Sequence, residues 1–206
     1  MNEIIEKFIF DLDNAFYEHE GKRYCHSVHY KSYTRFQKAK EQLTLPTVGV
    51  EKIQEYVLEF LSKIDIKPTK NPKMNLTVVD YKKIKNDYSL KNEKDIVWMK
   101  FTKSGYLGVV AVSNDINFDI PNNTSEYNLK IEVWDPYKKC KKSEWKHNSS
   151  GIIIHKLREQ WDDSFVLVFP LKNIPYGYCR HDIEKAIGNY LIKKNVPILD
   201  FYSHIY

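Results

Sequence analysis

The change in hydrophobic periodicity around Pro68 and Pro72 constrains the fold of this chain more than any other feature. Before these prolines, apolar residues recur at the spacing of a helix. After them, apolar residues alternate with polar ones or form short continuous runs, as strands do. We therefore predict a helical part up to about residue 66, a proline-containing linker, and a sheet-rich part from residue 74.

Three helices are predicted in the first part. The clearest covers residues 49–64, where Pro46 precedes the helix and Thr47 is a candidate N-cap. Residues 3–20 carry a second apolar face and end at Gly21, and residues 30–43 form a more polar third candidate. The apolar stripe of the clearest helix consists of Ile53, Tyr56, Val57, Phe60, Leu61 and Ile64.

The second part is predicted to contain several consecutive strands and one late helix. The two runs GIIIHKL and SFVLVFPL flank a polar connector, so we expect them to form an antiparallel hairpin. A helix then follows, with a final strand after it. The predicted strands cover residues 76–79, 95–101, 106–112, 129–133, 151–157, 164–171 and 196–201, and the helix covers residues 182–194.

Together these elements predict a single α+β domain over residues 1–206, in which N-terminal helices pack on a mostly antiparallel sheet. The late helix would be a crossover helix, and the C-terminal strand would complete the sheet. Residues 1–66 would form the helical N-terminal part and residues 74–206 the sheet-rich core.

Composition narrows the classes of function. The 206 residues include only 7 glycines, which argues against a glycine-rich phosphate loop, and the net charge of +5 permits contact with nucleic acid. The 3 cysteines are widely spaced, so no disulfide framework is expected. No signal peptide or membrane span is recognisable, which predicts a cytoplasmic protein. The abundance of Lys, Asn, Ile and Tyr suggests an AT-rich genome, that of a bacterium or mobile element.

The stretch KFIFDLDNAF, residues 7–16, resembles the first motif of the haloacid dehalogenase superfamily, an apolar strand ending in Asp-x-Asp. The resemblance implies a phosphatase in which Asp11 is the nucleophile, Asp13 the acid/base, and Mg²⁺ lies between carboxylates and phosphate. The stretch VVAVSND, residues 109–115, resembles the second motif of the family, an apolar strand ending in Ser or Thr. The resemblance implies that Ser113 would hold the phosphoryl oxygens.

Helical spacing explains the same N-terminal residues and is the interpretation we favour. Asp11 and Asp13 would then be solvated acids on the polar side of the helix over residues 3–20. Ala15 stands where the superfamily usually has Thr or Val, and consecutive strands replace its alternation of strand and helix.

The segment CRHDIEKAIGNYL, residues 179–191, holds the densest polar cluster, and the last residues of the chain contribute further candidates. If the late helix packs back on the sheet, these groups could converge, with a histidine as base, a carboxylate to orient it, and Arg180 to hold an anionic oxygen. The simpler alternative is helix capping plus a surface ion pair. The catalytic candidates are His181, Glu184, Asp200 and His204.

Metal-ligand patterns are weak. Neither C-x2-C nor H-x3-H pairs occur, so we assign no metal ligands. A metal-dependent nuclease of the PD-(D/E)xK type would use Asp65 with Asp80 and Lys82, and Mg²⁺ would be its cofactor. A second fit, Lys130-Ile131-Glu132 after Asp115 and Asp119, has the right residue types in reversed order. Acid-x-Lys is common by chance in a lysine-rich chain, so this pattern also fits no site at all.

Basic segments supply the candidate nucleic-acid contacts. The segment YKKCKKSEWKH, residues 137–147, mixes lysines with Tyr and Trp, a composition that can hold phosphates and stack bases, although solvated loops share it. The nucleic-acid-binding candidates are Lys138, Lys139, Lys141, Lys142, Trp145 and Arg180.

The sequence therefore predicts a nucleic-acid-associated protein, with a small metal-dependent nuclease as its catalytic form. The alternative is a non-catalytic protein-binding or inhibitor module that uses a tyrosine-rich surface and an exposed sheet edge. The phosphatase with Asp11 and Asp13 comes third. Whether the protein is an enzyme stays open at this point.

Overall fold

The computed structural model of the protein describes residues 2–8, 39–69, 74–75, 86, 89–113, 130–135, 139–145 and 165–199. Within these residues, two long helices are α1 (Val50–Lys63) and α2 (Arg180–Lys193). Residues 3–8 and 39–42 are also helical. The strands are β1 (Lys67–Pro68), β2 (Met74–Asn75), β3 (Ile96–Phe101), β4 (Leu107–Ser113), β5 (Lys130–Asp135), β6 (Cys140–Trp145) and β7 (Phe165–Lys172).

The main sheet is antiparallel and has β3 at its centre. Strand β3 pairs with β4 on one edge and with β7 on the other, and β1 and β2 both pair with the far edge of β7. Strands β5 and β6 form a second, two-stranded antiparallel sheet. Helices with an antiparallel sheet confirm the predicted α+β class.

One face of the main sheet packs on the helices. Because side chains alternate along a strand, Val97, Met99 and Phe101 of β3 all point to this face. They are buried there with Phe60 of α1 and Ile187 of α2 in one hydrophobic core. The apolar stripe predicted for residues 49–64 is thus the surface by which α1 packs on the sheet.

The opposite face of the sheet is also covered at its centre, and all six residues of β3 are buried. Ile96 and Trp98 lie on this face in a second core, together with Ala39 and Leu90 from outside the sheet. Burial on both faces explains the continuous apolar sequence IVWM of this strand. Lys100 is the exception, a lysine that is completely buried on the second face.

A short turn joins β3 to β4 and fixes their register. The N–H of Thr102 donates to the Tyr106 carbonyl at 2.9 Å, and the Tyr106 N–H donates to the Thr102 hydroxyl at 3.0 Å. Gly105 has a φ of +89°, which favours glycine at this position. The register shifts by a bulge beside Phe101.

Helix α2 connects β7 with a segment beside β4, at the opposite edge of the sheet. It packs on α1, β3 and β4, and the chain after it reaches β4, where Ile198 forms a parallel bridge with Leu107. Antiparallel pairing of β7, β3 and β4 makes this last segment parallel to β7, as in a crossover connection. In place of the predicted C-terminal strand, the described residues contain this single bridge, and residues 200–206 lie outside them.

The first residues of the chain pack between α1 and α2. The Phe8 ring meets Phe60 edge-on at 5.7 Å and Tyr190 at 5.2 Å between ring centres. The Asn189 amide donates a hydrogen bond to the Phe8 carbonyl. Lys7 and Phe8 are helical, as the amphipathic interpretation requires. Residues 9–20, with Asp11 and Asp13, lie outside the described residues.

Two short strands flank the predicted linker. Strands β1 and β2 both pair with β7, and Pro68 is tolerated because it occupies an edge strand. The basic segment over residues 137–147, for which no strand was predicted, contains the strand β6. In addition, none of the helices in the described ranges is long and apolar enough to cross a bilayer.

Candidate functional site

The amino end of α2 is organised by capping. The Cys179 N–H donates to a carboxylate oxygen of Asp182 at 2.8 Å, and the Asp182 N–H donates back to the Cys179 carbonyl at 3.1 Å. An acid in the first turn also complements the positive end of the helix dipole. Asp182 therefore has a structural role, as the simpler alternative for this cluster requires.

Two of the four catalytic candidates lie on this first part of α2. His181 is exposed and Glu184 is half-buried. Asp200 and His204 lie outside the described residues. The proposed convergence of the four groups therefore stays a prediction.

Arg180 ties the start of α2 to the start of β3. Its guanidinium Nη1 donates to the Lys94 carbonyl at 2.9 Å and lies 3.9 Å from the Asp95 carboxylate. Its Nε is buried and has no hydrogen-bond partner among the described residues. The guanidinium thus has an anchoring role in the fold, and its contact with nucleic acid stays a prediction.

The predicted nucleic-acid segment contributes strand β6 to a ribbon made by β5 and β6. Lys141, Lys142 and Trp145 are strand residues of β6, whereas Lys139 precedes it, exposed and with a left-handed φ of 49°. Lys138 lies outside the described residues. The basic segment is therefore paired with β5, which corresponds to the strand predicted over residues 129–133.

The register of the ribbon brings lysine and tryptophan positions together. Lys130 pairs with Trp145, and Trp134 pairs with Lys141. Paired residues share a face, and residues two or four apart on one strand share it too. One face of the ribbon thus carries two Lys–Trp pairs with the Glu132–Ser143 pair between them, while Lys142 lies on the other face.

A lysine-rich hollow of about 630 Å³ lies between residues 3–8 and the carboxyl ends of α1 and α2. We refer to it as the lysine hollow. Its wall is formed by Ile4, Phe8 and Tyr190 together with charged side chains. These charged side chains are Glu3, Lys7, Lys63, Lys193 and Lys194.

Glu59 holds two of these lysines in place. The Lys63 ammonium lies 2.5 Å from one Glu59 oxygen and 3.3 Å from the Tyr190 hydroxyl, and Lys194 lies 3.5 Å from the other Glu59 oxygen. The hydrogen bond from Lys63, aided by Tyr190, lowers the pKa of Glu59 to about 2. The same hydrogen bond with Glu59 raises the pKa of Lys63.

Aromatic rings lie beneath the ammonium groups of the hollow. The Lys194 Nζ is 5.3 Å from the Tyr190 ring centre, and the Lys193 Nζ is 5.6 Å from that of Phe8. Tyr190 and Phe8 are nearly buried, 4% and 8% exposed, so their rings form a floor and offer no face for stacking. Such cation–π contacts restrain the lysine positions.

Lys100 is a second unusual lysine. It lies next to the last residue of β3, on the second face of the sheet, and burial lowers its pKa to about 8. A buried amine with a perturbed pKa is a feature of many functional sites and of some structural ones.

Among the described residues, no group of three or more His, Cys, Asp or Glu side chains is arranged so that it could hold a metal ion. Asp65, one of the residues of the nuclease pattern, is exposed just after α1. Asp80, Lys82 and the candidates Asp200 and His204 lie outside the described residues, so the Mg²⁺ prediction is untested.

Sequence reasoning missed the lysine hollow, Trp134 and Lys100. The lysines that end α1 and α2 were visible as residues of a last helical turn, where cations are ordinary. Their convergence depends on how the two helices pack. Lys100 had a readable signal, since it interrupts a strand that is otherwise apolar.

No protein-family model, curated protein or solved structure matches the chain.

Proposed function

We propose that the protein binds single-stranded nucleic acid through the face of the β5–β6 ribbon that carries Lys130, Trp134, Lys141 and Trp145. The observation that supports the proposal is the register, with each tryptophan paired across the ribbon with a lysine. Proteins that bind single strands combine cations for the phosphates with aromatic rings for the bases. Two such pairs on one face are the elements of that kind of surface.

The alternation of β5 favours this face as the one available to a ligand. In the sequence, the aliphatic residues Ile131 and Val133 alternate with Lys130, Glu132 and Trp134, which is the pattern of a strand with one apolar and one polar face. Lys130 and Trp134 are separated along the strand by about 13 Å at about 3.3 Å per residue, so the two pairs would contact different nucleotides.

Binding of a fluorescent single-stranded oligonucleotide that lacks a terminal phosphate, measured at low salt, tests this proposal. Trp134→Ala and Trp145→Ala should each weaken binding about tenfold, because stacking contributes about 1–3 kcal/mol per base. Tyr176→Ala is the matched control, since Tyr176 is a fully exposed aromatic residue outside the ribbon. Absence of binding by the wild type, or an equal loss in the control, would refute the proposal.

The nuclease prediction adds to this proposal that the protein hydrolyses the strand it binds. His181, with Glu184, Asp200 and His204, would supply the base and its orienting carboxylates, and Mg²⁺ would be the cofactor. Incubation of the strand with Mg²⁺ should then give cleavage that His181→Gln abolishes. Binding without cleavage would leave a nucleic-acid-binding protein that is not a nuclease.

A protein-binding module is the second candidate, and Tyr176 is the observation that favours it. Tyr176 is fully exposed in the turn between β7 and α2, beside Gly177, which has a φ of +91°. Exposed tyrosines with a polar tip are frequent anchors of interfaces. A stoichiometric partner lost in Tyr176→Ala would support this candidate.

A further inference from the structure

We infer that the lysine hollow is a binding site for a small phosphomonoester. The inference is independent of the proposed role of the ribbon, because it rests on different residues. It starts from the balance of charge in the hollow, where Lys7, Lys63, Lys193 and Lys194 meet.

The four ammonium groups outweigh the negative charges around them. Glu3 in the wall and Glu59 beside it remove two charges. The carboxyl ends of α1 and α2 add about half a negative charge each. An excess of about one positive charge remains, which a phosphomonoester of about −1.5 to −2 would neutralise.

The excess is concentrated on Lys7 and Lys193. Glu59 engages Lys63 and Lys194, whereas among the described residues no carboxylate lies within ion-pair distance of Lys7 or Lys193. Both of these side chains are exposed at the rim of the hollow. They are therefore the donors most available to an incoming anion.

Lysine is suited to phosphate in this arrangement. Arginine recognises planar carboxylates through its fork of donors, whereas lysine acts as a point charge that can meet any phosphate oxygen. Lys63 donates to Glu59 and Tyr190 and still has a third N–H. Several such donors around one hollow can contact separate oxygens of one phosphate group.

The size and floor of the hollow indicate a small molecule. Its volume of about 630 Å³ falls within the usual range for ligand sites of about 300–1,000 Å³. Ile4, which is half-buried, gives it an apolar patch beside the lysines. A mononucleotide combines one phosphate with the apolar face of a base, and so does the 5′-phosphate end of a nucleic-acid strand.

Isothermal titration of the whole chain with inorganic phosphate, with a 5′-mononucleotide and with its nucleoside tests the inference. We expect the mononucleotide to bind, inorganic phosphate to compete with it, and the nucleoside not to bind. Lys193→Gln and Lys7→Gln should each weaken mononucleotide binding about tenfold, the loss of one charged hydrogen bond. Lys103→Gln removes the same charge from an exposed position in the β3–β4 turn and should leave binding unchanged.

Short strands with a 5′-phosphate or a 5′-hydroxyl distinguish the two sources of the phosphate. If the strand with a 5′-phosphate binds more tightly than the strand with a 5′-hydroxyl, and Lys193→Gln abolishes this difference, the ligand is a strand end. Equal binding of the two strands would identify a free mononucleotide. Failure of the mononucleotide to bind, or an equal loss in Lys103→Gln, would overturn the inference. Neither outcome affects the ribbon, whose test uses strands that lack a terminal phosphate and variants of Trp134 and Trp145.

Discussion

Replacement of Lys100 by Met tests the reasoning about the buried face of the sheet. The side chain is completely buried, and burial lowers its pKa from 10.5 to about 8. The unfolded chain binds this proton more tightly, so the wild type gains stability as the pH rises from about 8 to 10.5. Below pH 8 the protonated amine in the folded state costs about 3 kcal/mol.

The variant should therefore differ from the wild type by an amount that changes with pH. Between pH 7 and pH 9.5 the stability of the wild type should rise relative to Lys100→Met by about 2 kcal/mol. The change with pH is the informative quantity, because the difference in side-chain packing between lysine and methionine contributes equally at both pH values.

Urea unfolding followed by tryptophan fluorescence at the two pH values measures this difference. Lys103→Met is the matched control, since Lys103 is exposed in the turn that follows β3. Its stability relative to the wild type should not change between the two pH values. A difference for Lys100→Met that is equally constant would refute the claim that the fold holds this amine at a lowered pKa.

Two further predictions concern charge and backbone conformation. Glu59, with its pKa lowered from 4.5 to about 2, contributes stability that is present above pH 4.5 and lost as the pH falls toward 2. Between pH 4.5 and pH 2, the free energy of unfolding should therefore fall less in Glu59→Gln than in the wild type. An equal fall in both would contradict the stabilising role of the contacts between Glu59, Lys63 and Tyr190. Gly105→Ala should cost about 1 kcal/mol because of its positive φ, since no atom within 4 Å would meet the new methyl group. Gly105→Asn should cost less than Gly105→Ala in the same chemical denaturation, because asparagine adopts a positive φ more readily than alanine, and equal costs would exclude the conformational explanation.

Local periodicity predicted those elements whose pattern is set by one buried face. The helix expected over residues 49–64 is Val50–Lys63, and the strand expected over residues 95–101 is Ile96–Phe101. In both cases the repeat of apolar residues matches the geometry of the element that buries them. The same reasoning predicted the α+β class.

Strand partners were harder to predict because they depend on contacts between distant parts of the chain. Strand β7 was expected to pair with the GIIIHKL segment, residues 151–157, which lies outside the described residues. Among the described strands, β3 lies along one edge of β7, and β1 and β2 pair along the other. The sequence CKKSEW of β6 has little strand propensity of its own, so its pairing with β5 decides its conformation.

The candidate sites illustrate the same limit. Composition singled out Lys141 and Trp145, but only the register of the ribbon relates them to Trp134 and Lys130. The lysine hollow combines residues from the start, the first third and the end of the chain, and no spacing along the sequence could relate Lys7 to Lys193.

The salt dependence of oligonucleotide binding tests the central proposal most directly. For a single strand, the logarithm of the binding constant falls with the logarithm of salt by about 0.7 for each phosphate neutralised. Lys141→Gln and Lys142→Gln remove the same charge from adjacent positions on opposite faces of the ribbon. We predict that Lys141→Gln reduces the slope by about 0.7 and that Lys142→Gln leaves it unchanged. Equal slopes in the two variants, or no binding at low salt, would contradict the proposal.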